Sequence, residues 1–309
     1  MGQGPKSMFK TPFPAYLETT GCWKHVTIEM TKIVQKQITP IYEMESLDIG
    51  HAWGSGTYLS VAAATYLLTN EHVAKKMLST PIAHLPRDGA APIRVTNPMQ
   101  AKGAPVDAAM SRIDEAALEG SPTRPVPARK FDLEFAPADY ELFFICGYPG
   151  YSSPKFATQP NRRSTYFGAL NTPSQPYLSQ QVPLPNRPEC NDEDHFAISY
   201  PNEGAMALTD RHVDTPDAHG MSGSLVWNTH FVEVGGNGWT PDQASACGIV
   251  WGWDPDAKCL ICTKVELLRE AILSFLRHEA AYFHWCDRGR PEGDPLTDWL
   301  WAEEAVVSL

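Results

Sequence analysis

The stretch GSGTYLSVAAATYLLTNEHVAK, residues 54–75, decides how this sequence is read. Its middle, TYLSVAAATYLLT, is rich in apolar, β-branched and aromatic residues and reads as a buried strand preceded by a glycine turn. The run ends in Thr69-Asn70-Glu71-His72, so the sheet delivers one imidazole at its exit. A lone histidine there is ordinarily a satisfied structural residue. Two other stretches change the reading of His72.

Val106-Asp107-Ala108-Ala109-Met110 sets a carboxylate at the start of an apolar strand, where it can be buried behind an imidazole. His219-Gly220-Met221-Ser222-Gly223-Ser224 holds a serine in a tight, glycine-flanked turn before the strand SLVWN. A serine hydroxyl is a poor nucleophile at neutral pH and needs an imidazole to take its proton as it attacks an acyl carbon. The imidazole in turn needs a buried carboxylate to fix its tautomer and to tolerate its positive charge. The glycines let the N–H groups of Gly220 and Ser222 face one concave site, where each donor stabilises an oxyanion by about 3 kcal/mol.

With these residues in view, the sequence resembles the chymotrypsin-like (trypsin-fold) serine peptidases, particularly the HtrA-type catalytic domain. G-S-G-T-Y-L and L-L-T-N-E-H-V look like the family's Gly-Ser-Gly strand and histidine motif, and V-D-A-A-M like its aspartate strand. F-F-I-C-G-Y-P-G resembles the opening strand of the second barrel, and G-M-S-G-S the nucleophile turn. A-C-G-I-V-W-G-W and C-T-K-V resemble the last strands before a terminal helix. The match runs from about Lys32 to Leu276; each motif alone is weakly specific, and their order carries the resemblance.

The resemblance implies an all-β fold of two antiparallel six-stranded β-barrels, followed by a C-terminal α-helical hairpin. It implies His72 as general base, Asp107 as its orienter and Ser222 as nucleophile, with Gly220 and Ser222 as the oxyanion hole. Asp88 and Asp114 are nearby but lack the strand context. Pro216 and Asp217 are expected near the floor of the substrate pocket, with Trp251, Gly252 and Trp253 as one wall. That wall favours small or aliphatic side chains, although Asp217 keeps a preference for basic ones open. Met221 stands where the digestive enzymes carry an aspartate, so no trypsin-style activation by a freshly cut N-terminus is expected.

The expected organisation is an N-terminal arm (1–27), a first barrel (28–127), a second barrel (128–270) and a helical module (271–309). A proline-rich connector, SPTRPVPARK, separates the halves, and Tyr151–Asp192 reads as long surface loops. From Val265, VELLREAILSFLRHEAAYFHWC shows helical spacing, and a second helix begins at Pro295 behind Asp294 as its cap. The tail, HEAAYFHWCDRGRPEGDPLTDWLWAEEAV, resembles a short bacterial family of unknown function. Its Trp285, Trp299 and Trp301 read as the packing face of a hairpin, which also offers a contact surface for a dedicated protein partner.

The formal charge of −11, without any Lys/Arg-rich run, argues against a nucleic-acid partner. The longest apolar stretches fall short of the ~20 residues of a membrane span. MGQGPKSMFK has no apolar core of a secretory signal and breaks the myristoylation pattern at Lys6, so a cytoplasmic location is expected. Seven irregularly spaced cysteines fit reduced thiols, and Cys259 and Cys262 read as strand residues rather than metal ligands. No metal or cofactor is expected, and the partner is a protein or peptide substrate. An α/β-hydrolase is disfavoured because Ser224 replaces the second glycine of its elbow and the regular βα alternation of that fold is missing. The remaining alternative is a catalytically silent trypsin-fold scaffold acting through protein contacts.

Overall fold

The computed structural model of the chain describes residues 22–45, 50–62, 64–86, 92–149, 174–201, 205–206, 208, 212–236 and 238–306. The first sheet comprises β1 (Ile38–Met44), β2 (Gly50–Val61), β3 (Ala64–Thr69), β4 (Ile82–His84), β5 (Ile93–Arg94), β6 (Gln100–Lys102), β7 (Ala108–Ile113) and β8 (Val126–Pro127). Its order is β5-β4-β1-β2-β3-β7-β6, with the short β8 lying parallel on β2. The second sheet comprises β9 (Phe143–Gly147), β10 (Gln175–Ser179), β11 (Gln181–Val182), β12 (His195–Ser199), β15 (Leu225–Asn228), β16 (Ser245–Asp254) and β17 (Cys259–Lys264). Its order is β10-β9-β15-β16-β17-β12-β11, while β13 (Ala205–Met206) and β14 (His212–Val213) form a separate ribbon.

The helices are α1 (Cys22–Val34), α2 (Glu71–Ala74), α3 (Phe231–Val234), α4 (Val265–Asp287) and α5 (Pro295–Ala305). Two antiparallel sheets followed by a helical hairpin is the expected architecture. The strand count differs: eight and seven in place of six each, with both sheets open paths among the described residues.

The alternation of side chains explains why so many strands read as unbroken apolar runs. Along β9, Phe143 and Ile145 enter a core inside the second sheet, whereas Phe144 and Cys146 enter a larger core shared with the first. Along β3, Leu67 faces the interior of the first sheet and Tyr66 and Leu68 face the shared core. Successive residues of a strand point to opposite faces, so a strand buried on both faces loses its polar alternation.

The shared core is closed at its margins by helices: Val26, Met30 and Val34 of α1, and Leu268, Ile272 and Phe275 of α4. α1 crosses the expected division between arm and barrel at residue 27, because those three residues recur every fourth position and bury one stripe.

The quoted run is a second difference. TYLSVAAATYLLT is not one strand but a hairpin, with Thr57 opposite Leu68 and Val61 opposite Ala64. The reversal passes through Ala62, in the left-handed region at φ 46°. The expected loop tract beyond Ser174 contributes β10 and β11 to the second sheet, and the connector contributes β8. The strand expected at RSTYFGAL lies outside the described residues. Among the described residues, no helix is long and apolar enough to cross a membrane.

Candidate active site

The end of β3 leads through the buried Asn70 into the single turn of α2, which carries His72. Asp107 lies just before β7, with its backbone in the left-handed region at φ 46°. Asn70 Nδ2 donates to the Asp107 carbonyl at 2.5 Å, which ties the two strand ends together. Both oxygens of the Asp107 carboxylate then engage one residue. The backbone N–H of His72 donates to Oδ1 at 3.0 Å, and the ring Nδ1 lies 2.6 Å from Oδ2. An ionised carboxylate only accepts, so Nδ1 carries the proton and Nε2 is left to face outward. The aspartate side chain is 13% exposed and the imidazole 43%, a sheltered acid behind an accessible base.

Ser222 belongs to the second half and is delivered to the same seam by its backbone. The Ser222 carbonyl accepts from the N–H of Ser55 on β2 at 2.8 Å, and the Gly220 carbonyl accepts from the Ser55 hydroxyl at 2.7 Å. The Ser55 hydroxyl in turn accepts the Tyr148 N–H at 2.9 Å, and the Ser55 carbonyl accepts the Thr69 hydroxyl at 2.8 Å. A β-carbon placed on Gly54 would stand 2.9 Å from both Val73 methyls and 3.4 Å from the Ser222 carbonyl. The serine turn and the residue after His72 therefore meet across one glycine. The Ser222 hydroxyl makes no hydrogen bond to a described residue, and bonds of this kind often tighten only when substrate is bound.

The turn itself is built for free donors. Met221 N–H closes it on the Ala218 carbonyl at 2.9 Å, with Gly220 at φ 93°, the positive value that the third residue of a type II turn requires. Gly223 follows at φ 91°, donating to the Val250 carbonyl at 3.0 Å, and a β-carbon there would overlap the Ser55 carbonyl oxygen. The N–H groups of Gly220 and Ser222 have no acceptor among the described residues.

A cleft of about 500 Å³ opens beside His72 and Asp107. Trp251, Gly252 and Trp253 form part of its wall, where a bulge between Val250 and Gly252 interrupts the pairing of β16 with β17. The rest of the lining includes residues that motif reading did not single out: Glu71 and Lys75 on one side, Arg187 and Glu189 on the other, and His195. The charges are paired, Lys75 with Glu71 at 2.7 Å and Arg187 with Glu189 at 2.6 Å. Pro216, Asp217, Gly220 and Ser222 are not part of this lining. The Pro216 carbonyl accepts from the Tyr200 hydroxyl at 2.9 Å, and the Asp217 carboxylate is turned onto the N–H and ring of His219. His219 meets the edge of Trp253 at 5.5 Å between ring centroids.

Cys259 and Cys262 both lie in β17, facing different cores, because residues three apart on a strand point to opposite sides. Burial pushes the Cys259 thiol up to about 11 and that of Cys262 well above the ordinary thiol value. Among the described residues no group of three or more His, Cys, Asp or Glu side chains is arranged to hold a metal ion.

In the hairpin, α5 begins at Pro295 with Asp294 accepting from the Thr297 N–H, as expected. Two of the hairpin's tryptophans have partners within it, and Trp301 stays partly exposed. Trp285 donates to the Pro291 carbonyl at 3.0 Å, and Trp301 stacks on His284 at 4.4 Å. The bond that fixes the two helices was not foreseen: Asp298, buried, pairs with His284 at 2.8 Å and Arg288 at 3.1 Å.

Residues 278–307 match the model of DUF2934, a family of proteins of unknown function. Comparison with curated protein sequences finds no match. Among solved structures, the chain is similar to the VesB protease of Vibrio cholerae, with 12% identity and a TM-score of 0.41 over 77% of this chain and 63% of that one. The match thus spans less than two thirds of the length of that protease. The MamO protease domain of Magnetospirillum magneticum matches at 12% identity and TM-score 0.42, over 79% and 97% of the two chains. The serine protease domain of the Sesbania mosaic virus polyprotein matches at 11% identity and TM-score 0.40, over 73% and 87%.

Proposed function

We propose that the protein is a serine endopeptidase that hydrolyses peptide bonds of a protein substrate through an acyl-enzyme. The observation that carries this reading is the doubly bonded His72–Asp107 pair, 2.6 Å at the ring and 3.0 Å at the backbone, with the serine turn docked beside it through Ser55. In this reading the Ser222 oxygen attacks the scissile carbonyl while His72 Nε2 takes its proton. Asp107 holds the ring in the tautomer with Nδ1 protonated and stabilises the imidazolium that forms. The unpartnered N–H groups of Gly220 and Ser222 receive the carbonyl oxygen as it gains charge. His72 then returns the proton to the leaving amine, and a water molecule repeats the sequence in reverse order to release the acyl group.

The substrate lies along the cleft beside Trp251–Trp253, where the bulge leaves this end of β16 irregularly paired with β17. Labelling with a fluorophosphonate probe tests the reading. Wild type takes the label and Ser222→Ala does not; a wild type that stays unlabelled while folded leaves the silent scaffold as the better account.

A further inference from the structure

The Asp107 carboxylate has both oxygens committed to His72, and among the described residues no other group binds it. What sets its position is therefore its backbone, and that backbone is gripped from the other half of the molecule. His195, the first residue of β12, is 2% exposed, and its Nε2 lies 2.9 Å from the Pro105 carbonyl. A carbonyl only accepts, so Nε2 carries a proton. The N–H of Asn191 donates to His195 Nδ1 at 3.3 Å, so the other nitrogen is the acceptor and the tautomer is fixed. Thr263, paired with His195 in register across β12 and β17, donates its hydroxyl to the Val106 carbonyl at 2.9 Å. Two neighbouring residues of the second sheet thus hold the two carbonyls that immediately precede Asp107. From the first sheet, Asn70 holds the carbonyl that follows.

We infer that His195, supported by Thr263, is a positioning residue for Asp107: the second sheet sets the carboxylate that orients His72 through the Pro105–Val106 backbone. The inference rests on the peptidase reading only for its effect on catalysis. A residue held in the left-handed region has few alternatives once gripped and many once released, so a lost donor is felt at the carboxylate. His195 also stands at the cleft wall with its ring 5.4 Å from that of Trp251. It acts through Asp107 and not on substrate.

The test uses His195→Leu, which removes the donor, and His195→Gln, whose amide N–H reaches the place of Nε2. Two quantities are read on the full chain: the rate of fluorophosphonate labelling at Ser222, and the low-field NMR signal of the His72 Nδ1 proton, assigned by its loss in Asp107→Ala. His195→Leu is expected to slow labelling about tenfold or more and to broaden or shift the proton signal; His195→Gln restores labelling to within about threefold and restores the signal. An unchanged signal in His195→Leu overturns the inference, and so does a His195→Gln variant as impaired as His195→Leu, which would mean packing and not the donor. If His195→Leu does not fold, the near-isosteric Thr263→Val decides by the same two readings. A wild type that takes no label ends the peptidase reading alone, because the proton signal still reports the His72–Asp107 bond.

Discussion

Among the described residues, two histidine–carboxylate groups invite comparison, and they are chemically opposite. At the seam, His72 has one acid behind it and an accessible ring in front. At the start of β16, His230 has Glu233 on Nδ1 at 2.6 Å and Ser245 on Nε2 at 2.7 Å, and by distances alone this second group is the better formed. Yet the Ser245 hydroxyl donates to Asp132 at 2.5 Å, so its oxygen accepts from His230 and its proton is already placed. The Asp132 carboxylate, 3.7 Å from Nε2, reinforced by Glu233 and opposed by partial burial, raises the His230 pKa to about 9. At neutral pH the ring is a cation and no base. Ser245 also heads β16, six residues or at most roughly 20 Å along the strand from the Trp251 wall of the cleft. Serine, histidine and acid in contact are not enough for a nucleophile; the role proposed for Ser222 rests instead on one acid, one free ring nitrogen and vacant backbone donors.

The sharpest way to break this contrast is to remove each serine. Ser222→Ala is expected to lower kcat/KM on a protein substrate by about 10⁶, whereas Ser245→Ala leaves it within about twofold. Replacing the acids gives the next effect: Asp107→Asn should cost about 10⁴ in kcat by presenting the wrong tautomer of His72, while Glu233→Gln should not alter catalysis. Third is the docking of the serine turn. Gly223→Ala puts a methyl into the Ser55 carbonyl at a positive φ, and about 3 kcal/mol or more of unfolding free energy should be lost in urea.

The smallest effect lies at the second group. A raised pKa in the folded chain stabilises fully below the unfolded value of about 6.5 and is lost as pH rises through about 9. The wild-type Tm should therefore fall across that window by a few degrees more than that of His230→Asn, whose side chain tolerates the left-handed backbone at φ 53°. Parallel pH profiles of the two proteins would remove the claim that His230 is a clamped cation.

Much of the candidate site was legible because its residues sit where strands end. His72 was marked by the apolar run that ends just before it and Asp107 by the apolar run that starts just after it, and the structure joins them directly. The Trp251–Trp253 wall was expected from the family resemblance alone, and these residues line the cleft beside His72. His195 was not marked: at the head of DHFAISY it looks like any strand-initiating polar residue, and its partner lies ninety positions away at Pro105. Asp217, expected near the pocket floor from the same resemblance, has its carboxylate on the N–H and ring of His219. The hairpin in TYLSVAAATYLLT stayed hidden because its turn uses Ala62 rather than glycine, asparagine or proline. α1 was hidden by its β-branched residues, although Val26, Met30 and Val34 already carried the helical spacing.

The sequence by itself determined which segments are buried on both faces, where the helical tail begins and which residue types are available for chemistry. These are local properties of side-chain polarity and period, present before the chain folds. Only the tertiary structure shows how the serine turn and the His72–Asp107 pair are linked, through Ser55, Thr263 and His195 joining two sheets that are distant in the chain. A hydrogen bond needs atoms within about 3 Å, and pairings across 90 to 165 residues leave no periodic trace in the sequence that makes them.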